Sequence, residues 1–186
     1  MQRILFLAVP ALMALLSGWL VYETKISLVG GSGPGSHDPD MFIEDFTVTT
    51  MNDNGIPRYR LQAERMTHYP HNDSSELETP YLEFYQPGKP SWHIQSAHGR
   101  VTSGGAEVRL LGNVRIRRIA TENSPEVTIL TRNLRVRPEE KTASTTQQVD
   151  FSSPGYTVQA VGMQADLGKH RLQLLSHVKG SMESHP

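Results

Sequence analysis

The stretch Trp92-His93-Ile94-Gln95-Ser96, with the segment that answers it, Val108-Arg109-Leu110-Leu111-Gly112-Asn113-Val114-Arg115-Ile116, decides how this chain is read. Displaced by 64 positions, Trp92 falls on Tyr156, Ile94 on Val158, Gln95 on Gln159, Gly104 on Gly168, Leu110 on Leu174, Leu111 on Leu175 and Val114 on Val178. Displaced back by 33, the opening phrase falls on Tyr59-Arg60-Leu61-Gln62-Ala63. An aromatic, a polar residue, an aliphatic, a glutamine and a small residue therefore occur three times. Self-similarity at a near-fixed period marks a repetitive architecture.

Outward from that phrase the hydrophobic pattern has a period of two, so the elements are strands. Trp92 and Ile94 share a face, Ser103-Gly104-Gly105 makes a turn, and Val108, Leu110, Gly112, Val114 and Ile116 fall on one parity, with Arg115 and Arg117 on the other. Upstream, residues 41–50 alternate with Phe42, Phe46 and Val48 as the apolar face, and Asp53-Asn54-Gly55 supplies a tight hairpin turn. Residues 58–67 turn Tyr59, Leu61 and Ala63 inward, 69–75 read as a loop, and a strand from Leu77 to Tyr85 carries Leu82 and Phe84 on one face. Downstream, Val127-Thr128-Ile129 opens a third unit whose return, 141–151, is threonine-rich with Ala143, Thr145, Val149 and Phe151 in register. Ser153-Pro154-Gly155 then turns into Tyr156, Val158 and Ala160, which return through Leu172, Leu174, Ser176 and Val178. Four hairpin-like units, roughly a dozen short strands, exceed a single flat sheet. They predict an all-β domain of two packed antiparallel sheets, a sandwich or jelly roll.

The amino-terminal residues 4–22 are almost continuously apolar, broken by Pro10, Ser17 and Gly18. As a helix they rise roughly 28 Å, about the thickness of a bilayer's hydrocarbon core. Arg3 marks the cytoplasmic end, and Trp19 and Tyr22 suit the opposite interface. A cleavable export signal would need a small-x-small site after the apolar run. None adjoins Tyr22, so a retained single-span anchor is favoured, and either reading exports the remainder. The organisation expected is a cytoplasmic tip and anchor over 1–25, a flexible Gly/Ser/Pro linker over 26–40, and an exported strand domain over 41–182.

Composition and motifs narrow the function. A net charge of −1 argues against general nucleic-acid binding, and the absence of cysteine removes disulfides, thiol catalysis and thiolate metal sites. Catalytic motifs are lacking: no Gly-x-Ser-x-Gly, no His-Glu-x-x-His, no phosphate-cradling glycine loop. The chain reads as no enzyme, with no cofactor. His68-Tyr69-Pro70-His71 spans a proline loop without further ligand types nearby, a poor metal pair. Arg115, Arg117, Arg118, Arg132, Arg135 and Arg137 read mainly as solvent-face charge, although some could meet anionic head groups at the rim of a groove. The apolar stripes are core in any sandwich. The first and last strands carry few of the devices that blunt sheet edges, so they suit the addition of a partner's strand.

Several of these features together resemble the LptC family of lipopolysaccharide-export proteins. They are the apolar amino-terminal span, the glycine-rich tether, Asn54-Gly55 followed by Tyr59-Arg60-Leu61, Pro80 after Leu77, Trp92-x-Ile94 with Ala97, Leu110-Leu111-Gly112-Asn113-Val114 and Ser152-Ser153-Pro154-Gly155. The Leu-x-Gly-x-Val element is shared with LptA and the amino-terminal domain of LptD. The resemblance implies a single-pass inner-membrane protein with a periplasmic, open, V-shaped β-jelly roll whose apolar interior takes lipopolysaccharide acyl chains. It implies receipt of lipid from the inner-membrane LptB2FG transporter, through LptF and LptG, at the amino-terminal edge, and delivery to LptA at the carboxy-terminal edge. The groove residues expected are Phe46, Val48, Tyr59, Leu61, Leu77, Leu82, Phe84, Trp92, Ile94, Val108, Leu110, Val127, Ile129, Val158, Leu172 and Leu174, with Gly55, Gly112 and Gly155 shaping turns and bends. The alternative from the residues alone is a membrane-tethered scaffold with a closed core and no lipid ligand.

Overall fold

The computed structural model describes residues 38–182, apart from 87, 123 and 170; the expected anchor, most of the linker and the last four residues lie outside them. Among the described residues there is no α-helix, and none is long and apolar enough to cross a membrane. Ten strands follow one another: β1 (Met41–Met51), β2 (Pro57–Tyr69), β3 (Ser74–Glu78), β4 (Tyr81–Gln86), β5 (Lys89–Thr102), β6 (Glu107–Arg118), β7 (Val127–Arg137), β8 (Thr142–Ser153), β9 (Tyr156–Asp166) and β10 (Arg171–Met182). They form one antiparallel sheet in the order β1-β2-β3-β5-β6-β7-β8-β9-β10, with β4 between β2 and β5. The expected pair of separate sheets is thus corrected to a single ladder, and the expected dozen short strands to ten, most of them long. Among the described residues every pairing is antiparallel and, apart from the divided β3/β4 stretch between β2 and β5, joins strands consecutive in sequence, so no crossover starts a second sheet. The expected 77–85 strand is two strands, since Thr79 is left-handed (φ 48°) and Pro80 has no N–H to give the ladder.

This long sheet covers its own apolar face by bending at mid-strand. The register shifts between Ser96 and His98, Leu110 and Asn113, Leu130 and Arg135, Thr145 and Gln148, and Ser176 and Lys179 stand side by side across neighbouring strands. The same line holds Asp45, Thr79, Gly112, Asn133, Gly162 and His177, all with φ between 46° and 80°. Bulges and left-handed residues break the ladder and sharpen the local bend. On either side the inward parity differs in several strands. In β7, Val127, Ile129 and Thr131 are buried before the line and Leu134 and Val136 after it; in β9, Ala160 precedes and Met163 follows, with Leu167 buried just past the strand's end.

Backbone groups freed at the bend find side-chain partners. Thr131 Oγ1 donates to Gln148 O (2.7 Å), Thr145 Oγ1 to Arg132 O (2.8 Å) and Ser176 Oγ to Val161 O (3.0 Å). Gly112 N–H donates to Asn133 Oδ1 (3.0 Å). Thr131 on β7 and Thr145 on β8 are both buried at the break between those two strands. An unpaired buried carbonyl would cost about 1–3 kcal/mol.

The first strand departs from its expected face for the same reason. Asp45 is left-handed, so Ile43 aligns with Met66, Leu77, Gly99, Leu110 and Leu134 on the inner side, while Phe42 aligns with Thr67, Glu76, Arg100 and Arg109 on the outer side and is 68% exposed. Phe46 alone of the expected trio is half-buried; Val48, on the open edge strand, is 51% exposed.

Where β1 begins, His68 on β2 stands between two carboxylates. Its Nδ1 lies 2.7 Å from Asp40 Oδ1 and its Nε2 3.5 Å from Asp73 Oδ1. The hydrogen bond to Asp40 raises the His68 pKa, opposed by partial desolvation and aided by Asp73. A folded-state pKa above the unfolded value places this stabilisation below about pH 6.5 and removes it as pH rises through the folded value.

Two outcomes follow from the bend and this pairing. A Cβ on Gly162 (φ 80°) would stand 2.9 Å from Leu175 Cδ1, whereas one on Gly104 (φ 62°) meets nothing within 4 Å. Gly162→Val and Gly104→Val share the backbone strain, so urea unfolding should show Gly162→Val costing about 1–3 kcal/mol more; equal losses would mean that the Leu175 approach is unimportant. Between about pH 5.5 and pH 8.5 the wild type should lose stability that His68→Gln does not, and parallel pH profiles would rule out the His68 pairing as a contributor.

Candidate functional site

The site is the inner face of the folded sheet. One row crosses every strand position: Val48, Leu61, Leu82, Ile94, Ile116, Ile129, Phe151, Val158 and Gly180 are successive cross-strand partners. Beyond the bend a second row runs Met41, His68, Ser75, Val101, Val108, Val136, Ala143, Ala165 and Leu172. Residues of both rows meet in one apolar cluster, which places the two half-sheets face to face. The repeat phrase gains a spatial meaning as well. Tyr59, Phe84 and Trp92 are consecutive partners next to the first row, where the strands end away from the bend.

Most residues expected to line a groove face this interior. Leu82, Phe84, Ile94, Val108, Leu110, Val127 and Ile129 are buried in the cluster, and Tyr59, Leu61, Trp92, Leu172 and Leu174 pack partly against it. Leu77 is buried, and Val158 half-buried in the first row. Val48, in that row too, stays largely exposed at the edge. Gly112 lies in the bend, whereas Gly55 and Gly155 lie in turns. The sequence reading missed Leu134, Val136, Met163 and Leu167, all buried in the same cluster. Their signal was a glycine or asparagine inside a strand, at Gly162 and Asn133, after which the inward parity reverses.

Between the half-sheets a cavity of about 220 Å³ remains, walled on one side by Trp92, Ile94, Ile116 and Ile129 and on the other by Ala143, Met163, Ala165 and Leu172. Arg118, Asp166 and Arg171 also line it. A larger hollow, about 1170 Å³, crosses the outer face beside the bend among Gln62, Tyr81, Gln95, Arg115, Arg132, Gln148 and Asp150. It is widely open, with polar and apolar side chains mixed in its lining, so it shelters hydrocarbon poorly. The smaller cavity is the one suited to an apolar guest.

Several polar groups border the interior. Arg58, at the start of β2, reaches the turn between β7 and β8, with Nη1 2.5 Å from Glu139 Oε2 and Nη2 2.6 Å from Glu139 O. This pair clasps the free ends of opposite half-sheets. On the outside Glu107 is shared by Arg109 (2.6 Å), Arg135 (3.4 Å) and Arg137 (3.8 Å), and its carboxyl is held below the ordinary range, chiefly by Arg109. Tyr85, hydrogen-bonded to Glu83 and partly desolvated, is pushed up to about 12, chiefly by that desolvation. The arginines expected on the solvent face are exposed, with one correction. Arg118 is half-buried and opposes Trp92 on the inner side, its guanidinium 5.3 Å from that ring's centroid. Among the described residues no group of three His, Asp or Glu side chains is placed to hold a metal.

The sheet ends in two unpaired edges, β1 and β10. On β1, Phe42, Val48 and Met51 are exposed; on β10, Leu175, Val178 and Met182.

A family model described as "Lipopolysaccharide-assembly, LptC-related" matches residues 7–183. No curated protein matches the chain. Among solved structures, LptH from Pseudomonas aeruginosa, described as the LptA-homologous periplasmic component of the conserved lipopolysaccharide transport device, shares the fold with a TM-score of 0.52. The likeness covers 68% of this chain and 95% of LptH at 8% identity, so it concerns the fold alone: an antiparallel all-β sheet resembling the LptA jelly roll. With nearly its whole length matched, this chain belongs to the LptC-related lipopolysaccharide-assembly family.

Proposed function

We propose that this protein carries lipopolysaccharide across the periplasm, holding acyl chains between the two half-sheets. The observation that supports this is the cavity of about 220 Å³ left between opposed apolar faces, in a domain whose ordinary core could have filled it. Each methylene kept from water contributes about 0.8 kcal/mol, so a lipid with several acyl chains needs a continuous apolar path. The family is a transport component rather than an enzyme, which agrees with a site built of aliphatic and aromatic side chains.

In this reading residues 4–22 anchor the chain in the inner membrane as a single pass, and the strand domain lies in the periplasm. The amino-terminal edge β1 receives lipid from the LptF and LptG subunits of the transporter, and β10 presents the carboxy-terminal edge to LptA. Both edges carry free backbone groups beside exposed apolar side chains, the combination that strand addition uses. Edge pairing would join the apolar interiors of successive domains without a gap. ATP is hydrolysed by another subunit.

The scaffold reading has an observation in its favour too, since Leu82, Ile94, Leu110 and Ile129 are at most 2% exposed. Acyl chains could enter only if the half-sheets part. The Arg58–Glu139 clasp is placed to resist that motion, and with Glu139 60% exposed it contributes only about 0–1 kcal/mol, weak enough to open.

Photoreactive residues at Leu61, Trp92, Ile94, Leu110, Val158 and Leu174 should form adducts with lipopolysaccharide during ATP-driven transport, while Arg60 and Arg117 should not. Equal labelling of inner and outer positions would rule out the groove. Arg58→Gln should broaden the distance between spin labels at Pro57 and Glu140 and raise inner-face labelling; an unchanged distance distribution would show that the clasp holds nothing closed.

A further inference from the structure

Arg118 is the one arginine that continues an inner row of β6, after Val114 and Ile116, and it sits where the apolar cavity meets open space. It lines two cavities at once. On one side lies the apolar cavity of about 220 Å³; on the other is an open basin of about 870 Å³ bordered by Lys89, Lys169, Thr121, Glu122 and Ser124. Arg118 is the residue the two linings share: the apolar cavity lies on one side of it, and on the other a basin where Gly88 and Pro90 stand beside the charged and hydroxyl side chains.

The donors at this junction are incompletely used. Arg118 Nε and Trp92 Nε1 are both buried without a hydrogen-bond partner, and Arg118 Nη2 gives a long bond of 3.2 Å to Pro125 O. Buried donors left unpaired are costly, so each calls for an acceptor, whether a water, an ion or a ligand group. The charge balance points the same way. Arg118, Arg171, Lys89 and Lys169 face two acids, Glu122 and Asp166, and Asp166 is already held by Lys169, through its backbone N–H at 2.8 Å and Nζ at 3.6 Å. A guanidinium with nearby ammonium and hydroxyl groups suits a phosphate, which presents several acceptor oxygens and more than one negative charge.

We propose that Arg118, with Trp92 Nε1, binds the phosphate-bearing head of an amphiphile whose hydrocarbon lies in the apolar cavity, and so fixes which way round the lipid sits in the domain. This rests on the lipid-carrier reading and adds orientation to it. The head faces the basin between the free ends of the half-sheets; the chain points toward the bend.

The test uses the full-length chain in neutral-lipid nanodiscs, with Trp19→Phe leaving Trp92 as the only tryptophan. Its fluorescence is titrated with octyl phosphate and, separately, with octyl glucoside. The wild type should respond to octyl phosphate at a concentration at least about tenfold lower than to octyl glucoside. Arg118→Gln should erase that preference while keeping the response to octyl glucoside, Arg118→Lys should restore part of it, and Arg117→Gln, on the outer face, should leave it intact. Equal responses to both amphiphiles in the wild type would overturn the head-group site and leave the apolar carrier standing. No response to either would defeat both. Loss of both responses in Arg118→Gln with unchanged urea unfolding would make Arg118 a wall of the cavity rather than a head-group ligand, and would overturn the proposal.

Discussion

The structure depends on one constraint: a nine-position antiparallel sheet with a single apolar face must hide that face, and here the sheet covers itself. Among the described residues, long strands joined by short turns include no α-helix to lay over it and no crossover to build a second sheet. What remains is to bend every strand at the same level. Register shifts and left-handed residues do this, and they work together because they lie in one line across neighbouring strands.

The bend explains features that looked unrelated. A threonine-rich strand is a poor wall for an apolar groove, yet Thr131 and Thr145 supply the hydrogen bonds that the β7–β8 ladder loses. Asn133 is left-handed and also caps the amide of Gly112, so one residue serves the bend twice. The free ends of the half-sheets follow from the same geometry. The two half-sheets are continuous through the ladder at the bend, and at their free ends Arg58 reaches both the side chain and the backbone carbonyl of Glu139.

Inner-face residues close to the repeat phrase were readable because parity is local. Trp92, Ile94, Val108 and Leu110 alternate within unbroken stretches, and cross-strand pairing keeps them on one face. Phe42, Met163 and Arg118 escaped the same reading. Phe42 and Met163 lie across a reversal, at Asp45 and Gly162, where one left-handed residue moves every later side chain to the opposite face. Arg118 kept its parity but not its expected solvent exposure, since an arginine at the end of an apolar row was read by its charge rather than by its position.

The sequence by itself determined that the domain is built of strands in hairpin succession, and its family, because each depends on local alternation, turn residues and an order of motifs that survives divergence. Only the tertiary structure decided that one sheet folds upon itself rather than two sheets packing, and that a cavity with Arg118 at its mouth remains inside. The physical reason is that a bend is a collective property. Each bulge is a small local irregularity, and only their alignment across nine strand positions turns ten strands into opposed faces.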